Sequence, residues 1–340
     1  MVLIAVDSYA QNVYSSEPVQ WVGRPNGYST TPYNSDYRTT VYRKLSTTTA
    51  NPADGRGQWS TTINVQNAGG DIAPDNMPGG GGAGWLLISG PLSNRFQNKW
   101  NFNGIGQGAL NAYNDVVLQL GGQDMGLNMG TSGYYHFNFR DAGYVNSNFF
   151  VGYTLNAPVT CNYSSLSYNS ITHNAQLSVS TSATPSSGEG VFVRYRVGTN
   201  DFTASTSVVE ATGSGTSWTA TIPAQTCSTT VYFYVFTSTR SLAQLNTDSE
   251  QNRFLAALRY DDNSGNNYSY TNIPITATCS GTNVTCLGGI NGSASVNSSG
   301  GTSAYSYLWN NGNTNVFIHR NGTSYVNSNV QWCQCFMQRW

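Results

Sequence analysis

The chain has 340 residues, of which only 9% are charged, and its formal net charge is −1 at pH 7. Soluble intracellular domains usually carry about 25% charged residues, so this composition excludes a phosphate-tracking basic surface and an acidic solvating tail. Hydrophobic residues make up 39% of the chain, enough for two or three buried cores.

Met1 to Val6 is apolar, and Ser8 and Ala10 place small residues at the −3 and −1 positions of a signal-peptidase site. Residues 1–10 therefore read as the remnant of a signal peptide that starts upstream. No later stretch approaches the roughly 20 apolar residues of a membrane span, so none is expected.

A first module is expected over 11–156. Trp59, Thr61, Ile63 and Val65 alternate with polar residues, the period-two mark of a half-buried strand. Trp85 to Ile88, Tyr134 to Phe139 and Phe149 to Tyr153 read as further strands. The one stretch with helical character lies around Ala109 to Leu120. A second module is expected over 157–277. Its strands centre on Ala175 to Val179, Val191 to Val197, Trp218 to Ile222 and Val231 to Phe236, the last apolar on both faces as a central strand is. The expected fold class is all-β: tandem β-sandwich modules with at most one short helix, in the first module.

This second module resembles the fibronectin type III-like and immunoglobulin-like domains of secreted Bacteroidetes proteins, through Val193-Arg194-Tyr195, Trp218 to Pro223, Val231 to Val235 and Asn266 to Tyr270. From Cys279 the composition shifts. Cys286-Leu287-Gly288-Gly289, Gly292-Ser293-Ala294, Gly300-Gly301-Thr302, Tyr305-Ser306-Tyr307-Leu308-Trp309 and Asn311-Gly312 form a string that resembles the SprB repeat of large surface adhesins in gliding Bacteroidetes. Ala294 and Val296 read as one strand, Tyr305, Tyr307 and Trp309 as the next, with Asn311-Gly312 as a hairpin turn. The partial repeat is expected over 278–317. Residues 318–340 depart from it and read as an aberrant or disordered tail, the product of a frameshift or a fragment end. The resemblance implies a secreted or outer-surface location and export by type IX secretion.

Catalytic signals are sparse. His136, His173 and His319 have no metal-binding partner at i+2 or i+4, and no nucleophile elbow, His-Glu-x-x-His or Walker loop occurs. Gly79 to Gly84 lacks the Lys-Ser/Thr of a phosphate loop, and Gly104 to Gly108 lacks the glycine spacing of a dinucleotide site. No enzyme and no obligatory cofactor are expected. Three binding features stand out. The rings of Trp85, Trp100 and Tyr113, with Arg140 and Asp141 as hydrogen-bonding neighbours, suit a glycan or another surface ligand. Asp261 and Asn263 alternate as oxygen ligands do in calcium loops, although Gly265 falls one place early and Asn272 stands where a bidentate Glu belongs. Six cysteines suit disulfides in an oxidising compartment, and Cys161 and Cys227, in one module, are the candidate pair.

The expected function is a non-catalytic surface protein, an adhesive or ligand-binding stalk. The competing expectation is a carbohydrate-binding accessory region of a larger secreted hydrolase or nuclease. Nucleic acid is not an expected partner.

Overall fold

The computed structural model describes residues 20–23, 58–71, 74, 85–89, 98–102, 108–118, 126–140, 147–169, 172, 174–272, 276–283, 285, 291–299, 315 and 317–319. The expected signal remnant and the tail beyond 319 lie outside these residues. The described residues are mostly strand, with two short helices, so the all-β expectation holds.

Seven strands form the first sheet: β1 (Gln20–Gly23), β2 (Gln58–Val65), β3 (Trp85–Ser89), β4 (Asn98–Phe102), β5 (Tyr113–Leu118), β6 (Gly133–Arg140) and β7 (Ser147–Thr154). Their order is β1-β3-β4-β5-β7-β6-β2, and every pair is antiparallel. β5 replaces the helix expected around Ala109 to Leu120. Asn111 adopts a left-handed φ of 57° that breaks any helix there, and Val116 and Val117 are β-branched residues that pack well on a pleated sheet.

Side chains alternate across a strand, so the register assigns each residue to a face. One face carries Ile63, Val65, Tyr135, Phe137, Phe139, Phe149 and Val151, all buried. The opposite face carries Thr62, His136, Asn138, Phe150, Gly152 and Tyr113. It is the less uniform face, apolar at Phe150 and polar at Asn138 and His136.

The second sheet comprises β8 (Cys161–Tyr168), β9 (Ala175–Thr181), β10 (Gly190–Val197), β11 (Ser207–Ser214), β12 (Ser217–Ile222), β13 (Thr230–Ser238), β14 (Arg259–Asp261) and β15 (Tyr268–Thr271). The order is β14-β13-β10-β11-β12-β9-β8, with β15 also on β13. The sheet curls until its two end strands meet: Tyr163 N–H donates to Asp261 Oδ2 at 2.9 Å, and the Tyr163 and Phe233 rings lie 5.1 Å apart edge to face. Val191, Val193, Val235, Leu177, Val179 and Ala220 are buried. The other face of β10 and β13 presents Phe192, Arg194, Tyr234 and Phe236.

That second face is covered by α1 (Leu242–Thr247) and α2 (Glu250–Leu255), between β13 and β14. Each helix starts on a serine. Ser241 Oγ accepts from Gln244 N–H while Gln244 Oε1 accepts from Ser241 N–H, a reciprocal capping box. Ser249 Oγ accepts from Asn252 N–H. Leu245, Phe254 and Leu255 point into one hydrophobic cluster with Phe192, Phe202, Val208, Tyr234 and Phe236. The same cluster takes Phe150 from the first sheet.

The joint between the first sheet and the helical segment is tight. Asn138 Nδ2 donates to the carbonyls of Leu255 (2.6 Å) and Ala257 (2.9 Å). Those carbonyls lie at the helix end, where no backbone partner remains. At Gly152 a Cβ would stand 2.3 Å from Leu258 Cδ2, so any side chain there would displace Leu258 from its buried seat. Thus strands on both sides of the expected boundary at 156/157 feed one hydrophobic cluster. The passage between them is pinned as well: Asn156 N–H donates to Ser186 Oγ and Val159 N–H to the buried Glu189 Oε1.

Contacts divide the chain into two compact units. The first comprises residues 1–165, 177–220 and 231–269; the second comprises 166–176, 221–230 and 270–340. Within the second lie β16 (Thr276–Thr282), β17 (Ser293–Ser299) and β18 (Phe317–His319), an antiparallel sheet in the order β16-β17-β18. No helix among the described residues is long and apolar enough to cross a membrane.

Candidate functional site

The register separates the glycan candidates. Leu87 pairs with Trp100, and Trp85 stands two residues before Leu87, so Trp85 and Trp100 share a face. Through Trp100↔Leu118 and the β5–β7 pairing, it is the face of the buried Phe137, Phe139 and Phe149. Tyr113 and Arg140 fall on the opposite face, and Asp141 lies outside the described residues. The backbone therefore does not gather these residues into one surface.

Tyr113 is committed elsewhere. Its hydroxyl donates to Asp248 Oδ2 (2.5 Å) and to the Asn252 carbonyl (2.9 Å). Arg240 lies 4.7 Å over its ring and pairs with Asp248 Oδ1 at 2.6 Å. Burial, then the Asp248 carboxylate, push the phenol far above its ordinary range. The group is a joint between sheet and helices, its polar atoms used inside the protein.

His136 has a similar role. Its Nδ1 lies 2.6 Å from Thr62 Oγ1 and 3.1 Å from Arg259 Nη1. A guanidinium can only donate, so the ring nitrogen that faces Arg259 accepts there.

The densest polar cluster is one that sequence reasoning missed. Arg194, on β10, is fully buried. It donates through Nε to Thr206 Oγ1 (2.8 Å), through Nη1 to Tyr234 Oη (3.1 Å) and through Nη2 to the Phe202 carbonyl (2.7 Å) and Glu250 Oε2 (2.7 Å). Its guanidinium sits 4.2 Å over the Phe254 ring. Glu250 also receives Arg253 Nη1 at 3.1 Å, Thr206 N–H at 2.9 Å and the Thr206 hydroxyl. Burial raises the Glu250 carboxyl, but the Thr206 hydrogen bonds and Arg194 outweigh it and hold it below the usual range. Two arginines around one carboxylate are a buried, satisfied network that locks α2 onto the sheet. The sequence signal was Arg194 directly after the apolar run Val191-Phe192-Val193, where a buried charge requires a partner.

The acidic turn differs in detail from its expectation. Asp261 ends β14, and both its oxygens accept protein donors: Asn263 N–H and Tyr268 Oη on Oδ1, Tyr163 N–H and Tyr268 Oη on Oδ2. Asn263 donates its amide to the Asn267 carbonyl at 3.2 Å. The two expected ligands thus hold the turn together. Its other acidic residue, Asp262, accepts the Gly265 N–H at 3.0 Å.

The expected Cys161–Cys227 bridge is not formed. Cys161 is a buried thiol, its Sγ 4.0 Å from the Arg259 carbonyl, and Cys227 is exposed. Burial, with Asp261 and Glu189 nearby, pushes the Cys161 thiol up. Cys279 is disulfide-bonded.

In the three-stranded sheet, Cys279 stands opposite Val296, which is buried, with Gly281 opposite Ala294 on the same face. The other face pairs Thr278 with Asn297, Ser280 with Ser295 and Thr282 with Ser293. The Ser280–Ser295 and Thr282–Ser293 hydroxyls are each 2.8 Å apart. From Asn263 to Ile318 the sequence has no Asp, Glu, Lys, Arg or His. The strand expected at Tyr305 to Trp309 lies outside the described residues.

Residues 278–314 match the family model of the SprB repeat, beginning at the boundary expected from the sequence. No curated protein and no solved structure matches the chain. The repeat points to a surface-associated, adhesin-like protein of the Bacteroidetes type.

Proposed function

We propose that the chain is a secreted, non-catalytic part of a cell-surface adhesin, serving as an adhesive or spacing arm. The observation that carries this reading is the SprB repeat match over residues 278–314. The fold supports it. The second sheet, read as a fibronectin type III or immunoglobulin-like sandwich, suits a stalk, although sandwiches serve many functions.

The test is location and adhesion together. Antibody raised against the chain should label intact cells, and mild protease treatment of those cells should remove the label. Deleting the gene should lower attachment to surfaces without impairing growth. Label confined to lysed cells, or turnover of a polysaccharide or nucleic acid by the purified chain, would overturn the reading.

A further inference from the structure

We propose that the seam where β8 meets β14 and β15 is a mechanical clamp, loaded in shear when the chain is stretched, with the Tyr163–Asp261 hydrogen bond at its centre. The inference rests on the adhesive-arm reading and deepens it, because an arm between a cell and a surface carries tension.

In chain order β8 is the first strand of the second sheet, and β14 and β15 are its last. β8 and β14 also stand at the two ends of the strand order, and they meet where the sheet curls. Their contacts fix a direction. Cys161 Sγ lies 4.0 Å from the Arg259 carbonyl. Two residues further along each strand, Tyr163 N–H donates to Asp261 Oδ2 at 2.9 Å. Both strands therefore advance the same way across the seam and run parallel. The chain enters the sheet at the start of β8 and leaves it at the end of β15, so entry and exit lie at opposite ends of the seam. Tension drawn through the chain pulls the two edges past each other along their own axis. Bonds across a seam loaded in this way bear force together. Bonds in a seam that is peeled break one after another.

The seam is built to resist sliding. The Tyr163 N–H bond ends on a carboxylate, and hydrogen bonds with a charged partner are the strong ones. That carboxylate is braced from its own side, where the Tyr268 hydroxyl lies 2.9 Å from each Asp261 oxygen. The Tyr163 ring reaches across the same seam. It packs edge to face on Phe233 of β13 at 5.1 Å and against Tyr268 of β15 at 4.6 Å. Sliding β8 along the seam would part the Tyr163 N–H from Asp261 and draw the ring off both neighbours in one step. The contacts that hold the edges are thus lost together, which sets a single barrier to forced opening.

The experiment pulls single molecules of the full chain through pairs of click-reactive handle residues in optical tweezers. One pair replaces Thr160 and Ser269, at opposite ends of the seam. The other replaces Ser165 and Ser269, just past the Tyr163–Tyr268 contact at one end. All three positions are exposed. At one loading rate the first pair should open at a clearly higher force than the second. Asp261→Ala, checked for folding by circular dichroism, should raise the forced unfolding rate along the first direction at least about tenfold, since forced unfolding follows the unfolding barrier. Glu250→Gln, on α2 and away from the seam, should lower thermal stability yet keep the difference between the two directions. Equal forces in both directions for the native chain would overturn the proposal. So would a folded Asp261→Ala that resists the first direction as the native chain does. These outcomes are read on the purified molecule, so they stand or fall apart from the cell-labelling test.

Discussion

Replacing Glu250 with Gln removes the charge that faces the buried Arg194 while keeping the side chain's shape. Arg194 is 0% exposed and Glu250 19%, with 2.7 Å between Nη2 and Oε2. At an effective dielectric near 20, opposite charges about 4 Å apart attract by about 4 kcal/mol. Desolvation offsets much of that in the intact pair, yet removing one partner strands the other, at a cost of about 3–5 kcal/mol. The partial exposure of Glu250 and the second arginine point to the lower end, about 3 kcal/mol. For a cooperative unit of 150–250 residues this lowers Tm by about 6–12 °C. The assay is urea and thermal unfolding of the native chain, Glu250→Gln, Arg194→Met and the double variant. Each single change should be costly, and the double variant should cost less than the two together, because it leaves no orphaned charge. A cost below about 0.5 kcal/mol for Glu250→Gln, or strict additivity, would refute the reasoning. Acid should act in the same direction. A carboxyl held below its ordinary value contributes stability that is full above the unfolded value and is lost as pH falls through the folded one.

Glu189 has the opposite sign. Burial raises its carboxyl, so its contribution is full below the unfolded value and lost as pH rises through the folded one. Glu189→Gln should therefore flatten the dependence of unfolding free energy on pH above about 4.5, measured by urea titration at several pH values. Gly152→Ala should destabilise by about 1–3 kcal/mol, because its methyl would overlap Leu258; an unchanged urea midpoint would contradict the close approach. Asn138→Leu should cost about 2 kcal/mol through the two stranded carbonyls at the helix end, read in the same titration. Cys161 should resist alkylation at pH 8 in the folded chain and react once it is denatured, since its thiol is buried and pushed up; labelling of the native chain as fast as of the denatured one would contradict this.

Much of the fold was legible because period-two alternation is a local signal. Ile63 and Val65 shared the alternating face expected from their spacing, and both are buried, as are Leu177, Val179, Val191 and Val193 within the expected strands. The helices were not legible. Each spans six residues, less than two turns, too short for a 3.6-residue period to register. Their serine caps were present in the sequence, and the Ser241/Gln244 spacing was the usable sign. The expected helix failed for the converse reason: its apolar spacing came from a strand and the turn before it.

The acidic turn was legible in the sequence, and its hydrogen bonding was not. Alternating oxygens from Asp261 marked the turn, but sequence does not say which carboxylate the protein's own donors occupy. Tyr163 settles that, and it comes from a strand about a hundred residues earlier. The rings of Trp85 and Tyr113 were grouped by composition. Strand register, a non-local property, puts positions 85 and 113 of the backbone on opposite faces. Arg194 stood in plain view within Val193-Arg194-Tyr195, but its partner Glu250 lies on a helix that pattern reading did not find.

The way Gly152 and Asn138 accept the Leu255–Leu258 segment bears on anyone who would express this chain in pieces. A fragment ending after Thr154 would bare Phe150 and leave the Asn138 amide without its two carbonyls. Its complement would open the Phe192–Tyr234–Phe254 cluster to water. Both halves would carry the adhesive surface that the intact molecule keeps inside, and they should precipitate alone and dissolve when refolded together.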